Sequence, residues 1–150
     1  MNRPTRRGFA LLLLLGASPF ATAAVTTGMP LLQRLDAGRV GDALATDDQY
    51  GSAVAADGNV AVAGAFRARQ PGQATGAAYM LVRTPPGRWR VAQELLPPGG
   101  ADGDRFGESV AIAGDDVFVG APGDDTAGSD AGAVYHYRRT APGIDAWSFV

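Results

Sequence analysis

The 150-residue sequence has no cysteine, no lysine, one histidine and two glutamates. Each absence removes a class of chemistry. Without cysteine there is no thiol nucleophile, disulfide framework or lipid-modified cysteine anchor. Without lysine there is no P-loop and no Schiff base. The single histidine, His136, has no second histidine, cysteine or G-x-S-x-G motif with which to build a nucleophilic triad. It also has no acid adjacent to it in sequence, which makes it a poor candidate for a general base or a metal ligand. Glu94 and Glu108 are the only glutamates. No spacing brings either beside an aspartate as glycosidase chemistry would require. Basic residues form no stripe of the kind that tracks nucleic acid. Outside the first residues no segment has a helical period.

The composition is otherwise that of a small globular domain: 46% hydrophobic and 19% charged, with 21 glycines and 10 prolines. High Gly and Pro suit many short strands joined by turns. The N-terminus reads as a secretory signal peptide, residues 1–24. Arg3, Arg6 and Arg7 precede the apolar run Phe9–Ala17, and Ala21-Thr22-Ala23-Ala24 offers small residues for cleavage. The run is about half of the ~20 residues that span a bilayer. Thr5-Arg6-Arg7-Gly8-Phe9 also resembles a twin-arginine export signal. Losing the three arginines of residues 1–24 leaves 10 Arg against 15 acidic residues, a net charge of −5. The expectation is an exported chain, periplasmic or extracellular. Its mature part has no transmembrane helix and no affinity for nucleic acid.

Beyond the signal the chain repeats itself. Shifted by 56 positions, residues 50–87 lie on residues 106–143 without a gap, with 14 identities in 38 positions. Among the matches are Gly51/Gly107, Val54/Val110, Gly64/Gly120, Ala65/Ala121, Gly72/Gly128, Tyr79/Tyr135 and Gly87/Gly143. A fixed period near 50 residues points to propeller blades or a solenoid, in which one unit cannot bury its own apolar face. Residues 25–49 are a lead-in. Within it, Leu31–Leu35 resembles Val91–Leu95, the end of the first full repeat, so the chain enters at the last strand of a preceding blade. Residues 50–105 form repeat 1. Residues 106–150 form repeat 2, which stops at the start of its last strand.

Each repeat predicts four strands. In the first these are Ser52–Ala56, Val60–Ala63, Ala77–Val82 and Arg88–Leu95. In the second they are Glu108–Ala113, Val117–Val119, Ala133–Arg138 and Trp147–Val150. Asp57-Gly58-Asn59 is a tight hairpin signal. Four antiparallel strands per unit without an intervening helix fit a propeller blade better than a βαβ unit, and a β-sandwich is the competing architecture. The predicted fold is therefore all-β, with two four-stranded antiparallel propeller-type blades. Two blades leave open sheet edges through which the chain can self-associate. A closed propeller of ~7 blades needs several hundred residues, so the chain is expected to be part of a longer array or a module that oligomerises.

Phe106-Gly107-Glu108-Ser109-Val110, Val119-Gly120-Ala121-Pro122 and Gly132-Ala133-Val134-Tyr135 together resemble the FG-GAP repeat. That repeat is the blade of the integrin α-subunit propeller and of many exported bacterial proteins. The first copy departs by placing Tyr50 where the second has Phe106, and Phe66 where it has Pro122. The motif residues have structural roles. Gly51 and Gly107 permit close backbone approach beside an aromatic ring. Gly64 and Gly120 sit where a side chain would collide with a neighbouring blade. Ala65 and Ala121 follow them, and Pro122 ends the ladder. Tyr79 and Tyr135 bury a ring and keep the hydroxyl bonded.

The resemblance implies an adhesion or protein-interaction platform without catalysis, although fold does not fix function. Two alternatives are a calcium-binding structural module and the non-catalytic part of a secreted hydrolase. Calcium needs six to eight oxygens. Integrin-like blades that bind it carry a DxDxDG-type loop between the first two strands. Here those hairpins are Asp57-Gly58-Asn59 and Gly114-Asp115-Asp116, too short and too poor in carboxylates. The remaining weak candidates for a metal are Asp124, Asp125 and Asp130 on the loop after Pro122, whose counterpart, residues 67–75, has two arginines and no acid. The expectation is no cofactor and an unidentified protein or surface ligand.

Overall fold

Small apolar and β-branched residues alternate here between turns that require a left-handed residue, which is the pattern of short, twisted, half-buried strands. A computed structural model describes residues 33–35, 47–69, 73–142 and 145–150. All of them lie in one unit, Leu32–Val150. The signal segment 1–24, most of the lead-in, and Gly72 and Gly143 of the repeat alignment lie outside the described residues. Among the described residues every regular element is a strand. The first sheet holds β1 (Val54–Asp57), β2 (Val60–Ala65), β3 (Ala77–Thr84) and β4 (Arg88–Leu95). The second holds β5 (Ser109–Ala113), β6 (Asp116–Ala121), β7 (Ala133–Arg139) and β8 (Trp147–Phe149). Each sheet is an antiparallel meander in chain order.

β4 has the predicted bounds; other strands differ at their ends for local reasons. β1 starts at Val54, two residues later than expected. Gly51 and Ser52 are spent on a turn, with the Gly51 amide donating to the Gly64 carbonyl (2.8 Å) and the Ser52 amide to Gln49 (3.1 Å). β2 and β6 run on through Gly64-Ala65 and Gly120-Ala121, because Gly64 pairs with Ala78 and Gly120 with Val134. The glycines therefore lie inside the ladder.

One face of the first sheet packs on one face of the second. Val60, Val62, Met80 and Val82 from the first meet Phe106, Val117, Val119, Tyr137 and Trp147 in one core of buried residues. The two backbones also touch. A Cβ at Gly64 would overlap the Gly107 carbonyl oxygen of the next blade, and one at Gly107 would overlap the Ala77 carbonyl oxygen. Gly76 and Phe106 form a parallel bridge, and the Phe106 amide donates to Thr75 (2.9 Å). The other two motif glycines behave differently. Gly120's close neighbour is the Ser109 hydroxyl of its own sheet, and Gly51 has nothing within 4 Å of its would-be Cβ. Gly51 instead satisfies a left-handed turn, φ 86°.

The outer strands carry a second joint that recurs. The Gln93 amide on β4 donates to the Trp147 carbonyl (2.8 Å) and accepts from the Trp147 amide (2.6 Å). Gln33 of the lead-in does the same to Trp89, at 2.7 Å for both bonds. A single side-chain amide thus mimics a strand neighbour at the tryptophan of each fourth strand, satisfying both its backbone groups. Gln33 holds the position relative to blade 1 that Gln93 holds relative to blade 2.

Three outcomes follow for thermal or denaturant unfolding. Gly64→Ala should cost about 1–3 kcal/mol or more, because the new methyl meets backbone that cannot rotate away. Gly58→Asn, at an open left-handed turn, should cost little. Gln93→Leu should cost about 1–3 kcal/mol by stranding both Trp147 backbone groups.

Candidate functional site

The motif aromatics come together as pairs, once per blade. Tyr50 meets Tyr79 edge to face, centroids 5.5 Å apart at 73°. Phe106 meets Tyr135 in the same way, at 5.3 Å and 75°. Tyr50 is therefore a working substitute for Phe. Both strand tyrosines keep their hydroxyls bonded to a carboxylate, but to different ones. Tyr79 donates to Glu94 on β4 (2.7 Å) and Tyr135 donates to Asp124 (2.5 Å). The position matching Asp124 in repeat 1 is the buried Ala68. Tyr137 donates to the Leu96 carbonyl (2.6 Å).

Asp124 is buried, accepts from the Thr126 amide (2.9 Å) as well as from Tyr135, and is held below its usual pKa by those two bonds. Asp125, on the exposed side of the same loop, accepts from the Asp130 amide (2.6 Å). Asp124 and Asp125 thus brace the loop from its buried and its exposed side, and Asp130 contributes its backbone amide. Among the described residues no group of three or more His, Cys, Asp or Glu is placed to hold a metal ion. The hairpin carboxylates are also engaged by protein groups. Asp57 accepts from the Gly114 amide of the next hairpin (2.8 Å). Asp115 pairs with Arg139 (3.1 Å) and Asp116 with Arg138 (2.7 Å). Arginines and amides stand where a calcium loop would need free oxygens, and the residues do not fit that ion.

His136 corrects the sequence reading. It does have an acid: its Nε2 lies 2.6 Å from Asp116 Oδ1. The pairing register brings it there, because Phe118 is opposite His136 and Asp116 is opposite Arg138. The imidazole stacks on Phe118, centroids 4.7 Å apart at 12°. Asp116 is pulled down to about 2 by its hydrogen bonds to Arg138 and His136. This cluster lies on an exposed sheet face; Ser148 stands opposite Arg138 there, and among the described residues no hydrogen bond joins its hydroxyl to His136.

The loop end of the interblade joint forms a cleft of about 510 Å³ whose lining includes Asp47, Asp48, Phe66, Arg67, Arg69 and Arg105. Two guanidinium groups lie over the Phe66 ring, Arg67 at 5.7 Å and Arg105 at 5.4 Å. Arg105 sits in a left-handed conformation, φ 60°, and is neutralised by both oxygens of Glu108 at 2.7 and 2.8 Å. Arg67 and Arg69 are exposed and form no ion pair with a described residue. Exposed guanidinium groups beside a ring can take up a planar anion such as a carboxylate or sulfate. Repeat 2 has no equivalent, since Pro122, Gly123 and Asp125 replace Phe66, Arg67 and Arg69. The departure of Phe66 from the motif and the two arginines that replace the acids of the matching loop were the sequence signals for this site. The approach of Arg105 was not legible, because it depends on how the blades dock.

A family model described as an FG-GAP repeat matches residues 41–81 and 89–137. The second match begins in β4 and ends in β7, so the sequence unit is one strand out of phase with the sheet. No curated protein matches the chain.

Burial raises the pKa of all four tyrosines, Tyr137 to about 12, and the carboxylate partners of Tyr79 and Tyr135 add to the shift. A folded pKa above the unfolded value of ~10 means the native state keeps protons that the unfolded chain releases. That stability is fully present below pH ~10 and is lost as pH rises through the folded values. With no lysine or cysteine, phenolate absorbance reads the process cleanly. It should appear late and cooperatively with unfolding in the native chain, and near pH 10 in urea. Superimposable titrations would show that the tyrosines are not buried in solution.

Proposed function

The chain belongs to the FG-GAP repeat family, and from that premise we propose an exported, non-catalytic, propeller-like repeat module that binds a protein or cell-surface partner through its loop end. The observation that carries this reading is the contrast between two otherwise equivalent loops. The loop after β6 is spent on itself, with Asp124 and Asp125 bracing it from within. The loop after β2 leaves two exposed arginines and a ring facing a cleft. Scaffold positions repeat because packing demands it; a position that breaks the repeat toward exposed cation and aromatic is unexplained by packing. The partner group that fits is anionic, carried on an acidic protein segment or a surface glycan. Export is supported by the arginines, apolar run and small residues within residues 1–24. No helix among the described residues is long and apolar enough to cross a membrane. Non-catalytic function is supported by the lack of any nucleophile–base pair in the cleft.

Binding to arrays of acidic peptides and of sulfated or carboxylated glycans tests this directly. A ligand should be retained at low salt and lost at high salt. Arg67→Ala with Arg69→Ala should weaken it about tenfold or more, equivalent to ~1.4 kcal/mol. Absence of any ligand, or undiminished binding by the double variant, would defeat the reading. The calcium alternative is separated by melting temperature, which we expect millimolar calcium to leave unchanged; a rise of several degrees would restore it.

A further inference from the structure

Both blades that wall the loop-end cleft belong to the described chain. Blade 1 contributes Phe66, Arg67 and Arg69, and the turn into blade 2 contributes Arg105. Arg105 is held at its backbone, at its ring contact and at its charge. Its sequence neighbours Asp104 and Phe106 are buried, and the Phe106 amide donates to Thr75 of blade 1 (2.9 Å). The Arg105 carbonyl accepts from the Glu108 amide (3.2 Å). Its guanidinium carbon lies 5.4 Å from the centroid of the Phe66 ring. Glu108 sits along the Nε–Nη2 side, with Nε 2.7 Å from Oε2 and Nη2 donating to Oε1 at 2.8 Å.

A guanidinium presents one fork of N–H bonds from Nε and one terminal nitrogen, and a second from the two terminal nitrogens. Glu108 occupies the first. No described residue bonds to Nη1, and the side chain is 51% exposed, so the second fork stays open. The turn does not require this ion pair. Blade 1 makes the same turn with Gln49 and Ser52: the Ser52 amide donates to the Gln49 carbonyl at 3.1 Å, and Gln49 has φ 55° against 60° for Arg105. The Arg105–Glu108 pair is a side-chain addition to a shared backbone shape.

Charge alone gives the cleft little preference for a dense polyanion. Arg67, Arg69 and Arg105 are offset by Asp47, Asp48 and Glu108, three formal charges of each sign. A cleft lined by one sign concentrates counter-ions, and a balanced one does not. Geometry decides instead. A planar fork held from its other side by a carboxylate matches a second carboxylate, which can use both of its oxygens there.

We propose that Arg105 is the anchor of this cleft, seating one carboxylate of the partner on its Nη1–Nη2 fork, and that Glu108 is the positioning residue that holds the fork in place. This rests on the loop-end binding reading and narrows its ligand from an anion to a carboxylate, carried on an acidic protein segment or a uronic-acid glycan. Arg67 and Arg69 flank the seat.

The affinities of the full chain for an end-blocked oligoglutamate peptide, for polygalacturonate and for dextran sulfate test it. Retention of the peptide assigns a protein source and of polygalacturonate a glycan source, and either supports the proposal. Arg105→Lys keeps the charge and removes the fork. It should weaken the carboxylate probe about tenfold and leave dextran sulfate within about twofold. Glu108→Gln removes a negative charge beside the seat, so charge alone would tighten every anion, whereas a positioning role weakens the carboxylate probe severalfold. Unchanged carboxylate binding by Arg105→Lys, or tighter binding by Glu108→Gln, overturns the proposal. The loop-end reading still stands in that case if Arg67→Ala with Arg69→Ala weakens the ligand. Retention of dextran sulfate alone also overturns the proposal, and retention of no probe overturns both. A further measurement needs no variant to fold. Phenylglyoxal condenses with the terminal nitrogens of arginine. On the wild-type chain the retained carboxylate probe should slow that reaction severalfold at Arg105, located by peptide mass. Protection confined to Arg67 and Arg69 overturns the proposal.

Discussion

Everything in this fold depends on two backbones coming closer than side chains permit. Gly64 of one blade and Gly107 of the next leave no room for a Cβ, and the bridge between Gly76 and Phe106 ties the strands at the same point. That contact fixes the distance between the sheets. Once it is fixed, Val62 and Met80 reach Val117 and Val119, and Phe106 is buried with its ring edge-on to Tyr135. Loosening the glycine contact would separate the faces and open gaps among side chains that have no other partner. Gly64 and Gly107 are thus a packing requirement of this pair of blades, whereas their offset partners Gly120 and Gly51 make no such contact.

The Gln–Trp clamp serves the opposite edge. Gly64 and Gly107 set the spacing near the inner strands, while Gln93 and Gln33 set it at the fourth strands. A joint held at both edges resists shear, and neither edge depends on a disulfide. This fits a chain without cysteine whose hairpin carboxylates are already bound to arginines and amides. Asp57 reaching the Gly114 amide adds a third tie at the hairpin tips.

What was legible in the sequence was whatever both blades need. The offset of 56 exposed the turn glycines, the ring–tyrosine pair and the strand order. The strands were misjudged at Gly64 and Gly120 because glycine weakens a strand by propensity, and here the ladder carries it through. His136 seemed alone because its acid is 20 residues away and becomes a neighbour only through the β6–β7 register. Arg105 gave no sign of approaching Phe66, since that contact needs a left-handed arginine and a docked second blade. The Gln clamp was visible only as a weak likeness between two strand ends. One side chain bonding both backbone groups of a residue on the next blade leaves no periodic pattern.

Among the equivalent positions that differ between the blades, two groups are the most informative. At the loop end, blade 1 exposes cation and ring where blade 2 braces itself. Across the strands, blade 1 buries valine and methionine where blade 2 carries an ion cluster. The polar exchanges on β6 and β7 sit on the face of blade 2 turned away from blade 1, while Val117, Val119 and Ala121, on the face that packs on blade 1, stay apolar and buried. Packing explains why the second group cannot change, and the contact with blade 1 places no such demand on the first. The cleft residues are not held by packing either: Arg67 and Arg69 are exposed and form no ion pair among the described residues, on a chain of net negative charge, and an anionic group is the ligand chemistry that such guanidinium groups fit.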